Sequence, residues 1–393
     1  AYTTAGPLDE MVAALSFPSS GAWRWAWRFR LVDPFTGVPG AWTYCDQAGV
    51  ANPVNGAWGT IQVRPGVTST SHTVVPRGSV VTVRGAGLLG LTGATLGGVN
   101  QPVGVVDAST VTVGPVAPGT PLGSQPLVLL NAAVGSTPVN VTVVDQVLSR
   151  TVVAHGSQLS ITGAGSATGA TVGGINHAVT VNGGVVQLTL LDGVAVGTTG
   201  LSLVTPAGVT APMPLTVVHL VLAELDSDQT GTDTAEFIEV ATGVPNVTLP
   251  DYSLVLFNGG SAAAYRVVNL EGLTTNAQGL ILVGGPALVP TPQVILPGAN
   301  NVIQNGPDAV ALYETVLPDA SAPTATGLLD AVVHAVDASE DAALLATLLG
   351  TGAQAVTLRE TTATSIRRCA PQRLDARAFV QGTPTPGADN GCP

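Results

Sequence analysis

No lysine occurs among the 393 residues; all 13 basic side chains are arginine. That excludes a Schiff-base lysine, a phosphate-loop lysine and a Ser-Lys dyad. Charge of either sign is scarce, at 10% of residues against roughly 25% in an average soluble protein. Aromatic residues are 4% and there are only three cysteines. No uninterrupted apolar run approaches the ~18–20 residues of a membrane span, because Gly, Thr and Pro break each one. The basic residues are outnumbered by 25 Asp and Glu, giving a net charge of −12. An acidic surface repels phosphate backbones, so no nucleic-acid partner is expected. The five histidines, His72, His155, His177, His219 and His334, form no H-x-H or H-E-x-x-H pair, and no G-x-S-x-G elbow occurs. Metal-dependent and serine hydrolase chemistry therefore has no sequence support.

What is present is 48 Gly and 29 Pro in a background of Val, Thr, Ala and Leu. That mixture favours short strands and frequent turns. Two segments repeat. Arg77-Gly-Ser-Val-Val-Thr-Val-Arg-Gly-Ala-Gly87 matches His155-Gly-Ser-Gln-Leu-Ser-Ile-Thr-Gly-Ala-Gly165, and Gly93-Ala-Thr-Leu-Gly-Gly-Val-Asn100 matches Gly169-Ala-Thr-Val-Gly-Gly-Ile-Asn176. Both copies end alike, in Val141-Thr-Val-Val144 and Leu215-Thr-Val-Val218. An offset this long is a domain duplication. Within each copy, β-branched and apolar residues alternate with polar ones between glycine turns, the pattern of antiparallel strands with one buried face. Arg77 and Gln101 stand where the second copy has His155 and His177; positions that differ between copies read as surface.

The repeat motifs resemble the immunoglobulin-like domains called IPT/TIG, and the resemblance places sandwiches at 67–143 and 144–218. The segment 219–393 carries Leu222-Ala-Glu-Leu-Asp-Ser-Asp228, Tyr252-Ser-Leu-Val-Leu-Phe-Asn-Gly259, Asn305-Gly-Pro-Asp308, Ser365-Ile-Arg-Arg-Cys369 and Thr383-Pro-Thr-Pro-Gly387. In that order these resemble a bacterial lamin-tail domain, which implies a further immunoglobulin-like sandwich in a secreted, modular protein. Cys369 and Cys392 both lie in this module and are expected to form a disulfide, in keeping with an oxidising compartment. Cys45 is then the unpaired thiol. A chain beginning Ala1-Tyr2 without Met fits a processed, exported product.

Residues 1–66 hold all five tryptophans. Trp23-Arg-Trp-Ala-Trp-Arg-Phe-Arg30 alternates like a strand. Pro39-Gly-Ala-Trp-Thr-Tyr-Cys45 followed by Gly56-Ala-Trp-Gly-Thr-Ile-Gln-Val63 is similar to the closing strands of a cupredoxin or multicopper oxidase domain, with Cys45 where a thiolate ligand would stand. The loop Asp46–Asn55 has no His or Met. A blue-copper site needs two imidazoles beside its thiolate, so copper is not expected in this chain alone. The segment is also short for a whole sandwich, of about a hundred residues, which predicts open sheet edges that another chain could complete.

Two helices are predicted: about two turns over Leu8–Leu15, and a better one over Asp337–Leu349 with an Asp cap, Glu340 three residues on and a Gly350 stop. Gly85-Ala-Gly-Leu-Leu-Gly90 is formally a dinucleotide fingerprint, but the next residues, Leu91-Thr-Gly-Ala-Thr-Leu-Gly-Gly98, cannot make the required helix. The densest acidic run is Glu224, Asp226, Asp228, Asp233, Glu236 and Glu239. Asp226, Asp228, Asp233 and Glu236 are candidate ligands for Ca²⁺, which takes six to eight oxygens. The plainer reading is a solvated acidic strand and loop.

The sequence thus predicts an all-β chain: tandem immunoglobulin-like β-sandwiches with a short N-terminal β segment. The expected role is a non-catalytic extracellular or surface structural protein of filament, sheath, surface-layer or virion-appendage type, acting through self-association or another protein chain. The alternative is an accessory subunit or non-catalytic tail of a secreted enzyme such as a multicopper oxidase. Carbohydrate binding would need an aromatic platform, which the repeats lack.

Overall fold

The computed structural model describes residues 19–25, 27–29, 32–33, 35–40, 43–45, 59–164, 166–206, 208–229, 231–335, 342–357 and 364–392. It is nearly all β, organised as immunoglobulin-like sandwiches. The chain divides into two compact units: residues 1–146 with 204–213, and residues 147–203 with 214–393. The helix expected over Leu8–Leu15, the loop Asp46–Asn55, and Trp42 and Trp58 lie outside the described residues.

In the first unit, two antiparallel ribbons precede a sandwich. Gly21–Trp25 pairs with Gly59–Val63, and Trp27–Phe29 pairs with Thr43–Cys45. Between the latter strands Asp33 organises a tight turn. Its backbone N–H donates to Val38 O at 3.0 Å, and its carboxylate accepts the N–H of Phe35 at 2.8 Å. Such a turn uses the short acceptor side chain of Asp to replace a backbone partner. It holds Phe35 95% exposed, flanked by exposed Val32 and Val38.

The sandwich beyond these ribbons has one sheet in the order Val103–Val105, Thr110–Val113, Val81–Ala86 and Gly66–Thr70. The other runs Val74–Pro76, Val139–Val144, Gly123–Asn131, Leu91–Leu96 and Val99–Gln101. Alternation does what the sequence pattern predicts. Val81, Val83, Val111, Val113, Leu127, Leu129, Val141 and Val143 face the core, with the intervening residues half-buried or exposed. The segment after the G-x-G-x-x-G match is the strand Leu91–Leu96, which leaves no helix to receive a pyrophosphate. Residues 204–213 belong to this unit: Thr210 bridges Val74, and Ala211 joins the same core.

In the second unit, the repeat's later copy builds the sheets Val147–Leu148, Gln158–Thr162, Val185–Thr189, Thr180–Asn182 and Val152–Ala154, Met213–Val218, Gly197–Thr205, Gly169–Val172, Ile175–His177. The terminal sandwich comes next. Its six-stranded sheet runs Val294–Ile295, Leu280–Gly284, Phe237–Ala241, Val221–Asp226, Ser365–Arg368, Phe379–Gly382. Its five-stranded sheet runs Ala263–Asn269, Ser253–Asn258, Asp308–Tyr313, Leu328–Ala335, Val356–Thr357. One core fills the space between them and continues to Ala154, Val218 and Leu220 at the end of the preceding sandwich. The five-stranded sheet is buried on its outer face too, where Val255, Phe257, Ala311 and Val333 meet Leu344, Leu345 and Leu348. That double burial explains the continuous apolar runs of these strands, which do not alternate.

The described part of the predicted second helix, residues 342–349, is wider than an α-helix over its last five residues. Ala342–Leu344 is α-helical and Leu345–Leu349 is a π-turn that stops at Gly350 (φ 92°). Its expected cap, Asp337, and Glu340 lie outside the described residues. Three leucines reach the sheet from one short turn, so tertiary packing outweighs helical regularity here.

Candidate functional site

The acidic run sits at one end of the terminal sandwich, where Val221–Asp226 runs out and Phe237–Ala241 begins. It is not solvated. Asp226, Asp228, Asp233 and Glu236 are all buried, Glu236 completely. Amide groups occupy their oxygens. Gln229 donates its side-chain N–H to Asp226 Oδ2 at 3.3 Å and its backbone N–H to Asp233 Oδ1 at 2.8 Å. Asn305 Nδ2 reaches both Asp228 Oδ1 and Asp233 Oδ2 at 3.2 Å. The backbone N–H groups of Val302 and Ile303 donate to the two oxygens of Glu236 at 2.5 and 3.3 Å.

This burial corrects the expectation of a solvated acidic strand and loop. Gln229 is shared by Asp226 and Asp233, and Asn305 by Asp228 and Asp233, so the amides bridge neighbouring acids. Among the described residues no three His, Cys, Asp or Glu side chains converge to hold a metal. Nor do Asp226, Asp233 and Glu236 have an arginine partner among those residues. Buried carboxylates without a counter-cation lower their cost by holding protons. Burial pushes Asp226 up to about 7, against hydrogen bonds from Gln229 and Asp228. Burial likewise pushes Glu236 up to about 8, against the amides of Val302 and Ile303. The cluster can therefore exchange protons near neutrality. Asp226 Oδ1, buried and without a hydrogen-bond partner, is the atom best placed to carry one.

A second acid pair lies across the same two strands, where Glu224 is in register with Glu239. Both are fully buried beneath the C-terminal segment. Glu224 accepts the hydroxyls of Ser365 and Thr385 and the backbone N–H of Thr385; Glu239 accepts the N–H of Gly387. Burial pushes Glu239 up to about 8. Asn390 continues the strap by donating to Ala223 O and Arg368 O, both at 3.0 Å. Cys369 and Cys392 are joined in a disulfide with an S–S distance of 2.06 Å, which anchors the strap's end. Cys45 ends the strand Thr43–Cys45.

The histidines correct a second expectation. His155 and His177 are 4% and 5% exposed, not surface groups. The differing residues of the two copies perform matched work. Gln101 Nε2 donates to Val99 O and its Oε1 accepts from Ala117 N; His177 Nδ1 donates to Ile175 O and its Nε2 accepts from Leu191 N. An amide and an imidazole thus fill one buried role, since each offers a donor and an acceptor on one planar group. His334 is buried with neither ring nitrogen hydrogen-bonded, and burial pushes it down to about 4, so it is neutral.

Sequence reasoning singled out the acids but missed their partners Gln229, Asn305 and Thr385. Asn305 and Thr385 do fall within the lamin-tail-like motifs. Their role was hidden because the contacts span 72 to 161 residues of chain.

No protein-family model matches the chain, and no curated protein does. Among solved structures, SGBP-B of the Bacteroides ovatus mixed-linkage glucan utilization locus, in complex with a mixed-linkage heptasaccharide, is 14% identical. That match covers 58% of this chain and 71% of the other, with a TM-score of 0.20. SGBP-B from a complex xyloglucan utilization locus in Bacteroides uniformis is 12% identical over 66% of this chain and 95% of its own, at a TM-score of 0.19. The N-terminal Ig1-2 module of the Drosophila receptor protein tyrosine phosphatase DLAR is 12% identical over 39% and 97%, at a TM-score of 0.20. These are chains that this protein is similar to. The fold assignment stands on the strand pairing described above.

Proposed function

We propose that the protein is a non-catalytic extracellular or surface β-sandwich protein with a structural role, working through contacts with other protein chains. The observation that supports this reading is the use made of the groups best suited to chemistry. Buried acids tie a loop and a terminal strap to the last sandwich, and buried histidines complete backbone hydrogen bonds. The Cys369–Cys392 disulfide supports an oxidising compartment. The turn at Asp33, with Phe35, Val32 and Val38 exposed together, supports contact with another chain, because apolar side chains clustered on one projecting turn gain by being covered.

Light scattering and negative-stain imaging of the native full chain test the proposal, with Phe35→Ser as the control. The expected result is self-association that the substitution weakens. A strict monomer at every concentration, carrying stoichiometric copper, would overturn it.

A further inference from the structure

The two copies of the repeat differ at one joint in a way that changes its chemistry. At the end of the first sandwich, Arg77 forms an ion pair with Asp145 at 3.2 Å and donates to Thr120 O through Nε and Nη2 at 3.0 and 2.7 Å. The backbone around Arg77 is fixed by its N–H to Val144 O and by Gly78 N–H to Val116 O. In the second copy His155 repeats this frame residue by residue. Its N–H donates to Val218 O, and Gly156 N–H donates to Leu190 O. His155 Nε2 reaches Val194 O at 2.9 Å, the counterpart of Thr120 O. Where the first copy has Asp145, the second has His219, and the two Nδ1 atoms are 3.1 Å apart.

Hydrogen-bond counting determines what this pair must hold. His155 Nε2 faces the carbonyl of Val194, and His219 Nε2 faces the carbonyl of Pro371 at 2.9 Å. A carbonyl only accepts, so both Nε2 atoms carry hydrogen. Two neutral rings would then point bare lone pairs at each other across 3.1 Å. One additional proton between the Nδ1 atoms removes that conflict. The ring centroids are 5.3 Å apart, close to the N···N distance plus the two spans from nitrogen to ring centre. The nitrogens therefore face each other almost head-on, as a linear N–H···N bond requires. A metal ion would instead need both nitrogens to converge on a point off that line.

We propose that His155 and His219 form a proton-sharing clasp between the second sandwich and the terminal sandwich, a titratable replacement for the permanent Arg77–Asp145 pair of the first copy. The charges around it are arranged for one proton and not two. Arg373 lies against Gly156 and Arg368 lies on the His219 side, but each has its own carboxylate: Asp192 at 2.8 Å for Arg373 and Asp330 at 2.5 Å for Arg368. Burial, then the charges of His155, Arg373 and Arg368, hold His219 below the ordinary imidazole value, against the bond to Pro371. A second proton would set two N–H groups and two positive charges face to face. Loss of the first sacrifices one of three hydrogen bonds. The joint is thus tightest with a single shared proton and loosens on either side.

The test is a ¹⁵N-histidine NMR titration of the full chain, with hydrogen exchange at the amides of His155 and His219 corrected for intrinsic rate. Two histidines should titrate as a coupled pair in separate steps. Opening should increase about five- to tenfold when either step removes one hydrogen bond. In the double variant His155→Arg with His219→Asp, which rebuilds the first copy's pair, that dependence should flatten. The proposal fails if the two rings titrate independently near the ordinary value of about 6.5. It fails equally if the double variant folds and keeps the wild-type profile. Equimolar Zn²⁺ that shifts both ring signals and tightens the joint would also overturn it, as the mark of a metal-ligand pair.

Discussion

The hydroxyl of Tyr252 accepts the backbone N–H of Ala154 at 2.8 Å, joining residues 98 apart in the chain. Tyr252 is fully buried between the last two sandwiches, with Arg150 5.3 Å above its ring and Ser157 Oγ at 3.4 Å. Tyr252→Phe keeps the packing but leaves the Ala154 N–H buried without a partner. A loss of about 1–3 kcal/mol is expected, read by urea denaturation, with faster exchange at Ala154. An unchanged Ala154 amide would contradict this account.

Arg368 and Asp330 form a buried ion pair at 2.5 Å, with Arg368 also donating to Leu222 O and stacked 4.5 Å from the centre of Phe379. Removing one partner strands the other charge in the core. Arg368→Met alone is expected to cost about 3–5 kcal/mol, and adding Asp330→Leu should restore much of it. Thermal melts of the two variants decide the point, since a purely steric role for Arg368 would make the double variant the worse of the two.

The acidic cluster makes stability depend on pH with a definite sign. Asp226 and Glu236 are raised to about 7 and about 8, so the folded state binds protons that the unfolded chain releases near pH 4. Their contribution is complete below about pH 4 and is lost as pH rises through 7 to 8. Asp226→Asn should flatten that limb, worth on the order of 4 kcal/mol for Asp226. Denaturation midpoints at pH 5 and pH 8.5 give the comparison; equal midpoints in the parent protein would refute it.

His334 acts in the opposite direction. Its value is lowered to about 4, so stability is lost as pH falls from the unfolded value near 6.5 through 4. His334→Leu removes a buried ring whose nitrogens have no hydrogen-bond partner and should abolish the loss on acidification. A variant whose stability changes between pH 6 and pH 4 just as the parent's does would assign that limb elsewhere.

The Cys369–Cys392 disulfide closes a loop with a sequence separation of 23. Cys392→Ser is expected to cost about 3 kcal/mol by chain entropy and to free the strap for proteolysis after residue 382. Peptide mapping after mild thermolysin digestion, which can cut before Ala388, measures it. A strap that stays protected would mean that Glu224 and Glu239 hold it alone.

Much of the architecture was legible in the chain. Alternation predicted one buried face for the repeat strands, and Val81, Val83, Leu127 and Leu129 lie on it, because period two is imposed by the strand itself. The repeat was visible because glycines at its turns sit at positive φ, as at Gly78 and Gly156 (83° and 82°), where side chains are strained. The helix at 337–349 was half legible: Gly350 ends it, but the π-turn arises from what the sheet beneath needs covered.

What the sequence by itself determined is therefore the local and the periodic: strands, turns, duplication and the scarcity of reactive groups. Tertiary structure alone decided which polar residues are buried and what satisfies them. Asp226 and Glu236 look like solvated acids until Gln229, Val302 and Ile303 are brought to them. His155 looks like a surface substitution until His219, 64 residues on, meets it nitrogen to nitrogen. Burial and partnership depend on chain segments that only the packed sandwiches bring together, and an unpaired polar group costs too much in the interior for either to be left to local preference.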